Sequence, residues 1–383
     1  MLREGEIVAG RYKLHRLIGE GAMGEVWRAQ DQTLRRLVAI KFLFVRGARD
    51  PGTMVEQFLR EARIAASVQH RNVIHTVDFG TVDAHQPYMV MELLDGLSLA
   101  DRMERDPPLS LQNFVQIVSL TLRGLGAVHD AGIVHRDLKP ANIFLQNDVD
   151  GTLPKILDFG ISRSLESKER KSAVSTQQGM ILGTPDYMSP EQARGEADID
   201  KRADIYSMGA ILYEGLTGQL PFTANTIGEL IAAIVTQTPP PIKQVRPEIP
   251  ELLSDVVEQA MARNREERFI DARVMRNALM TAASRSLTEV GQVPVSVAPE
   301  RQQQQQQRRS AGVTHARASA ERVSLAPAQL AVPSPEAPRT PEAMPAAAGA
   351  GGWGRLAGLR SSARAGSTPS PIPPPAAGRS LST

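Results

Sequence analysis

The spacing of hydrophobic and polar residues changes along this chain, from strand-like in the first ninety residues to helical later. Apolar and polar residues alternate from Arg11 to Ala29 around a glycine-rich turn, which predicts a β-hairpin. Apolar runs at 37–44 and 87–94 predict two buried strands. Apolar residues at helical spacing between Val55 and Val68 predict one amphipathic helix among these strands.

After residue 110 the pattern is mostly helical. Apolar residues recur three or four positions apart in four segments, which predict helices at 111–131, 199–217, 226–236 and 251–263. Short apolar pieces around Ile143 and Ile156 lie between the first two of these helices. Strands first and helices later predict an α+β arrangement, a sheet-rich lobe followed by a helix-rich lobe.

Composition changes near Ser284. Residues 285–383 contain 11 arginines, no lysine, five acidic residues, 13 of the 27 prolines and six consecutive glutamines at 302–307. Large apolar residues are too sparse there for their burial to offset the conformational entropy that ordering the chain would cost. We therefore expect a sheet-rich lobe at 11–94, a helical lobe at 95–284 and a disordered Pro/Ala/Gln-rich tail at 285–383.

The overall composition excludes several classes of site. The 383 residues include 44 Lys and Arg against 42 Asp and Glu, without the basic excess expected of a dedicated nucleic-acid binder. Cysteine is absent, which excludes disulfides, a thiol nucleophile and thiolate-bound metal. No signal-peptide pattern opens the sequence and no long apolar run follows, so we expect no membrane span and a cytoplasmic location.

The first candidate for chemistry is the glycine-rich turn. Residues 19–26 fit the pattern G-x-G-x-x-G-x-V. Glycine has no Cβ, so backbone N–H groups there can approach a phosphate closely. Strands are predicted on both sides of the turn, which argues against a dinucleotide-binding turn or a P-loop. An ordinary glycine-rich hairpin is the alternative for this motif taken alone.

A lysine and a glutamate form the second candidate. Lys41 ends the apolar run Val38-Ala39-Ile40-Lys41, and Glu61 follows twenty residues later on the predicted amphipathic helix. A lysine that faces a glutamate is held charged and can be aimed at phosphate oxygens. The alternative is a lysine that is simply solvated.

The strongest signal lies in two acidic motifs. His135-Arg136-Asp137-Leu138-Lys139-Pro140-Ala141-Asn142 is followed, 21 residues after its aspartate, by Asp158-Phe159-Gly160. Asp137 supplies a carboxylate that can accept or orient a hydroxyl proton. The Asn142 amide and the Asp158 carboxylate are hard oxygen ligands suited to Mg²⁺. Lys139 can neutralise charge on a transferring phosphoryl group.

Taken together and in this order, the motifs resemble those of the eukaryotic-type (Hanks-type) serine/threonine protein kinases. The resemblance covers about 11–282, which is nearly all of the globular part. It implies a bilobal protein kinase fold and an ATP:protein phosphotransferase that uses ATP with Mg²⁺ or Mn²⁺. Lys139 followed by Pro140 resembles the Ser/Thr-specific subgroup, so the expected acceptors are serine and threonine hydroxyls of proteins.

The resemblance also implies a role for individual residues. Asp137 would be the catalytic base, Lys139 would contact the γ-phosphate, and Asn142 and Asp158 would hold metal ions. Lys41 would hold the α- and β-phosphates and pair with Glu61. The nucleotide would be bound by Ile18, Gly19, Glu20, Gly21, Ala22, Met23, Gly24, Glu25, Val26, Ala39, Lys41, Met91, Glu92, Leu94 and Phe144.

Residues 183–191 resemble the end of the activation segment and the loop on which a peptide substrate docks. The family usually has Ala where Ser189 stands, and Ser there resembles bacterial members. Glu191 would pair with Arg268 in the helical lobe. Asp204 would brace the backbone of the catalytic segment.

Regulation and partners are weaker expectations. Phosphate near arginines can order a loop, so we expect autophosphorylation of the activation segment at Ser175 or Thr176. The tail would be the place for a regulatory partner, and a transient homodimer is a further expectation. A pseudokinase scaffold and a small-molecule phosphotransferase are the alternatives. The complete catalytic set argues against the first, and the complete docking segment argues against the second.

Overall fold

The computed structural model describes residues 2–21, 24–44, 51–82, 86–105, 108–149, 151–158, 185–286 and 294–295. They belong to the first of two compact units into which the chain divides, residues 1–320. Ala22, Met23, Ser175 and Thr176 lie outside the described residues, and so does the Pro-rich tail apart from 285–286 and 294–295.

The N-terminal lobe is a six-stranded antiparallel sheet with one helix. Its sheet order is β1-β2-β3-β4-β6-β5. The elements are β1 (Ile7–Val8), β2 (Tyr12–Gly21), β3 (Gly24–Asp31), β4 (Arg36–Leu43), α1 (Pro51–Ser67), β5 (Thr76–Val82) and β6 (Gln86–Glu92).

Two apolar clusters hold this lobe together. Leu14, Ala29, Ile40 and Val90, which are buried, belong to a cluster formed by β2, β3, β4 and β6. A second cluster places Phe58 and Ala62 of α1 against Leu43 of β4 and Met89 of β6. These apolar positions recur at helical spacing, so one face of α1 is fixed against the sheet.

The C-terminal lobe is mainly helical and carries a small three-stranded sheet of order β10-β9-β7. Short 3-10 turns lie at 140–142, 185–187 and 265–267. The elements are β7 (Gly96–Ser98), α2 (Leu99–Met103), β8 (Leu109–Ser110), α3 (Leu111–Asp130), β9 (Ile143–Asp148), β10 (Gly151–Ile156), α4 (Pro190–Ala193), α5 (Arg202–Thr217), α6 (Ile227–Thr236), α7 (Ile242–Val245), α8 (Glu251–Ala260), α9 (Ala272–Ser286) and β11 (Pro294–Val295).

Helix α5 is the centre of this lobe. Its residues from Ala203 to Thr217 are all buried, and α3 packs against it. The approach is close because Gly215 has no side chain: a Cβ there would lie 1.9 Å from Cζ of Phe114 on α3. The main apolar cluster of the molecule surrounds these two helices.

The predicted α+β lobes and their main elements are confirmed, with ends shifted by three or four residues at three helices. Helix α1 begins at Pro51 instead of 55. Helix α5 begins at Arg202 instead of 199, because Asp200 Oδ1 accepts the Arg202 N–H at 2.8 Å and forms a turn. Helix α8 ends at Ala260 instead of 263. The carbonyl oxygens of Ala262 and Arg263 point instead to the Arg268 guanidinium, at 2.7 and 3.2 Å.

Candidate active site

The catalytic segment 135–142 is held by one buried carboxylate of α5. Asp204 Oδ2 accepts the backbone N–H of His135 at 2.8 Å, and its Oδ1 accepts that of Arg136 at 2.8 Å. His129 Nε2 of α3 lies 2.8 Å from the same Oδ2. Burial alone would raise the pKa of Asp204, but the hydrogen bond and charge of His129 outweigh it and lower the pKa. The predicted bracing role of Asp204 is confirmed.

Asp137 lies at the centre of the site, where two neighbours fix its carboxylate. Lys139 Nζ lies 2.9 Å from Oδ2, and Asn142 Nδ2 donates to the same oxygen at 3.2 Å. Asn142 Nδ2 also donates to the Asp137 carbonyl at 2.8 Å, which ties the short turn 140–142 to the catalytic aspartate. The structure thus brings Asp137, Lys139 and Asn142 together, as the motif predicts.

Lys41 and Asp158 meet across the cleft between the lobes. Lys41 Nζ lies 2.7 Å from Asp158 Oδ1, and the Asp158 side chain is 43% exposed. Desolvation would raise the pKa of Asp158, but the charge and hydrogen bond of Lys41 prevail and lower it. Asp158 therefore carries its negative charge at neutral pH, next to the strand that bears Lys41.

The expected ion pair between Lys41 and Glu61 is absent from this structure. Glu61 accepts a hydrogen bond from Gln57 Nε2, one turn earlier on α1, at 3.0 Å. Among the described residues Lys41 has Asp158 as its ion-pair partner. The predicted pair is therefore wrong for this structure, in which Lys41 contacts Asp158 and Glu61 contacts Gln57.

Four of the predicted nucleotide residues meet in one apolar cluster. Val26 and Leu94 pack against the cluster that contains Ala39 and Met91, and the last two are opposite each other in the β4–β6 pairing. Gly24 closes the glycine-rich turn, where a Cβ would lie only 1.9 Å from the Phe42 carbonyl oxygen. No side chain fits at this position, so the backbone alone forms the end of the turn.

The segment joining the lobes contains a pair that the sequence patterns do not predict. Glu92 Oε1 accepts from Lys155 Nζ of β10 at 2.7 Å and from the His75 N–H at 2.8 Å. Lys155 is buried. The side chain of Glu92 is thereby occupied by these two donors, at the end of the strand expected to face the adenine. The only signal in the sequence is a lysine inside a short apolar run.

Two buried contacts fix residues 185–191 of the docking segment to the rest of the lobe. Arg268 donates from NH1 and NH2 to the two oxygens of Glu191 at 2.7 and 2.8 Å, and both residues are buried. This confirms the predicted pair. Tyr187 donates to Glu214 of α5 at 2.5 Å, a contact without a signal in the sequence. A small cleft is lined by Asp137 and Lys139 on one side and Tyr187 and Met188 on the other.

A larger cavity, of about 280 Å³, lies elsewhere in the C-terminal lobe, among Tyr206, Tyr213 and Phe222. It contains none of the residues named above for catalysis. No helix among the described residues combines the length and the hydropathy that crossing a bilayer requires.

Comparisons with known proteins assign both lobes to one family. The family model described as "Protein kinase domain" matches residues 12–279. The serine/threonine-protein kinase pkn3 of Myxococcus xanthus is 38% identical over 269 residues, which are 69% of this chain and 48% of that protein. The serine/threonine-protein kinase PknB of Mycolicibacterium smegmatis is 35% identical over 302 residues, 76% of this chain and 47% of that protein.

The crystal structure of the Mycobacterium tuberculosis PknI kinase domain superposes with a TM-score of 0.57 at 27% identity, covering 74% of this chain and 100% of that one. This chain spans about half the length of the curated relatives that it matches. The similarity therefore concerns the two lobes, and these bacterial relatives extend well beyond them.

Proposed function

We propose, from the premise that this chain belongs to the protein kinase domain family, that it is a serine/threonine protein kinase. It would transfer the γ-phosphoryl group of ATP to serine or threonine hydroxyls of proteins. The observation that carries the proposal is the pair of acidic centres: Asp137 held by Lys139 and Asn142, and Asp158 held by Lys41.

The proposed reaction uses Asp137 as the proton acceptor. The substrate hydroxyl gives its proton to the carboxylate while its oxygen forms a bond to the γ-phosphorus. The bond between that phosphorus and the β–γ bridging oxygen breaks, and ADP leaves with the electron pair. Lys139 lies within 2.9 Å of the Asp137 carboxylate. It can therefore offset the charge that develops between base and phosphate.

The residues present fit a divalent cation. Asn142 uses its Nδ2 for Asp137 and keeps its Oδ1 as a hard oxygen ligand, and Asp158 keeps Oδ2 beside its bond to Lys41. Mg²⁺ or Mn²⁺, when bound, would neutralise phosphate charge. Lys41 would orient the α- and β-phosphates beneath the glycine-rich turn. The catalytic role of Glu61 stays a prediction.

The alternative of a catalytically silent scaffold has less support. Asp158 pairs with Lys41 and Asp137 with Asn142, and the relatives that match are named as kinases. A protein substrate is favoured by the cleft between the catalytic segment and the docking segment. The tail-binding partner, the homodimer and the cytoplasmic location stay predictions.

Phosphate transfer from labelled ATP tests the proposal. The full chain is compared with Asp137→Asn, scoring self-labelling and labelling of myelin basic protein in the presence of Mg²⁺. We expect a loss of at least about two orders of magnitude in the variant, the contribution of one acid–base group. Mapping of the self-labelled peptides tests Ser175 and Thr176 in the same samples. Equal labelling by both proteins would contradict the proposed function.

A further inference from the structure

The helix of the docking segment makes a direct contact with the backbone of the catalytic segment. Gln192, in the short helix α4, donates from Nε2 to the carbonyl oxygen of Arg136 at 2.8 Å. Arg136 immediately precedes Asp137. The two residues are 56 positions apart in the sequence, so neither motif alone reveals the contact.

The Arg136 carbonyl belongs to the peptide unit that leads into Asp137. The other end of that unit, the Asp137 N–H, donates to His135 Nδ1 at 3.3 Å. Arg136 has a φ of +65°, which non-glycine residues rarely adopt. Asp204 fixes its N–H, as described above, and Gln192 fixes its carbonyl. The unusual backbone at Arg136 is therefore held from both sides.

Ser189 sets the direction of the Gln192 amide. The Ser189 N–H and hydroxyl both donate to Gln192 Oε1, at 3.2 and 3.1 Å, and the Gln192 N–H returns a bond to the hydroxyl at 3.4 Å. With Oε1 engaged in this capping box, Nε2 points toward Arg136. Ser189 is completely buried, so water does not compete for its hydroxyl.

We propose that Gln192, oriented by Ser189, is a positioning residue that aligns the Asp137 backbone with the peptide-docking segment. The inference rests on the proposed function. It links substrate docking to catalysis, because the donor belongs to the docking segment and the acceptor to the catalytic segment. A displaced docking segment would release the Arg136 carbonyl and misalign the base. A misplacement of about 1 Å in such a group is enough to cost roughly 100-fold in rate.

The test uses full-length variants that differ in one group. Gln192→Glu keeps the oxygen that Ser189 contacts but replaces the donor with an oxygen that repels the Arg136 carbonyl. Gln192→Met keeps the side-chain length and removes all three side-chain hydrogen bonds of Gln192. Ser189→Ala removes only the orienting hydroxyl. Glu196→Gln is the control, because Glu196 lies on the exposed surface beside α4 and pairs with Arg194 at 2.6 Å.

Phosphate transfer to myelin basic protein is measured at varied ATP concentration. We expect kcat to fall about 10- to 100-fold in Gln192→Glu and Gln192→Met, and less in Ser189→Ala, with KM for ATP within about twofold. In a protein that already carries Asp137→Asn, the base that Gln192 positions is missing. Adding Gln192→Glu to that protein should therefore lower its residual rate by less than about threefold. A loss of equal size with and without Asp137, or a change mainly in KM for ATP, would overturn the inference.

Hydrogen exchange over 135–138 gives a readout that does not need activity. The amide of Asp137 should exchange at least about tenfold faster in Gln192→Glu than in the native chain, and at the native rate in Glu196→Gln. Unchanged exchange in a folded Gln192→Glu protein would refute the positioning role. A native chain no more active than Asp137→Asn would instead refute the proposed function.

Discussion

At the scale of single residues, two buried carboxylates do structural work that the catalytic groups depend on. Asp204 holds the catalytic segment, and Glu191 holds the docking helix through Arg268. Both are charged inside the protein because cationic or N–H donors surround them. Removing one partner leaves the other charge buried without compensation.

For Glu191→Ala we expect a loss of about 3–5 kcal/mol in the free energy of unfolding, since Arg268 would remain buried and unpaired. Urea denaturation of the full chain measures this loss. Glu196→Ala, which breaks an exposed pair with Arg194, is the matched control, with an expected change of about 0–1 kcal/mol. Equal effects in the two variants would contradict the buried role of Glu191.

The same pair has a pH signature. Burial would raise the pKa of Glu191, but the hydrogen bond and charge of Arg268 lower it below the ordinary value of 4.5. Because the folded-state pKa is the lower one, the stabilisation is complete above about pH 4.5 and is lost as the pH falls through the folded-state pKa. The stability of Glu191→Gln should therefore fall less steeply with acid than that of the native chain.

Sequence motifs identified the reacting groups but not the residues that position them. Asp137, Asn142 and Asp158 stand in short local patterns whose chemistry is readable from residue type. Gln192 and Lys155 act through atoms of residues more than fifty positions away, at Arg136 and Glu92. Neither contact can be predicted from the hydrophobic periodicity or the composition of the sequence.

At the scale of elements, long segments with clear periodicity were predictable and short ones were not. The hairpin β2–β3 and helices α3 and α6 follow their patterns closely, and α1 and α5 follow theirs with a shifted first residue. Strands β9 and β10 were recognised only as apolar pieces, and β5 and α9 were not predicted. Helix α9 is buried only on the side that packs against α3 and α8, so polar residues interrupt its apolar pattern.

Gly215 provides a test of the packing between α3 and α5. Gly215→Ala should destabilise the protein by about 1–3 kcal/mol, because the new methyl group would overlap the buried Phe114 ring. This sign is opposite to that expected from helix propensity, which favours alanine by about 1 kcal/mol. Urea denaturation distinguishes the two effects.

The control is the same substitution in an open position. At Gly228, in the first turn of α6, a Cβ would have no neighbouring atom within 4 Å. Gly228→Ala should therefore leave stability unchanged or raise it by up to about 1 kcal/mol. A stabilised Gly215→Ala protein would show that the two helices separate more readily than their packing indicates.

At the scale of the whole molecule, the proposed nucleotide site draws on both lobes. Lys41 belongs to the N-terminal lobe, whereas Asp137, Asn142 and Asp158 belong to the C-terminal lobe. The pair between Glu92 and Lys155 is a further link between the lobes. A ligand bound at this cleft should stabilise the two lobes together.

Thermal melting of the full chain tests this expectation. A non-hydrolysable ATP analogue with Mg²⁺, at about 100 times its Kd, should stabilise the native chain by about 2.7 kcal/mol and raise Tm by roughly 5–10 °C. The rise should shrink without Mg²⁺ and in Lys41→Met. Lys243→Met, which removes an exposed lysine of α7, should retain it. An unchanged Tm in the native chain would contradict nucleotide binding at the cleft.

The attachment of the catalytic segment to Asp204 has a consequence for how the protein loses activity on heating. Its anchor lies on α5, the most deeply buried helix of the C-terminal lobe. The bonds to Asp204 therefore hold the catalytic segment for as long as α5 stays folded. On gradual warming, loss of the helical circular dichroism should be accompanied by complete loss of turnover, so the core of this lobe sets the upper temperature limit of the active centre.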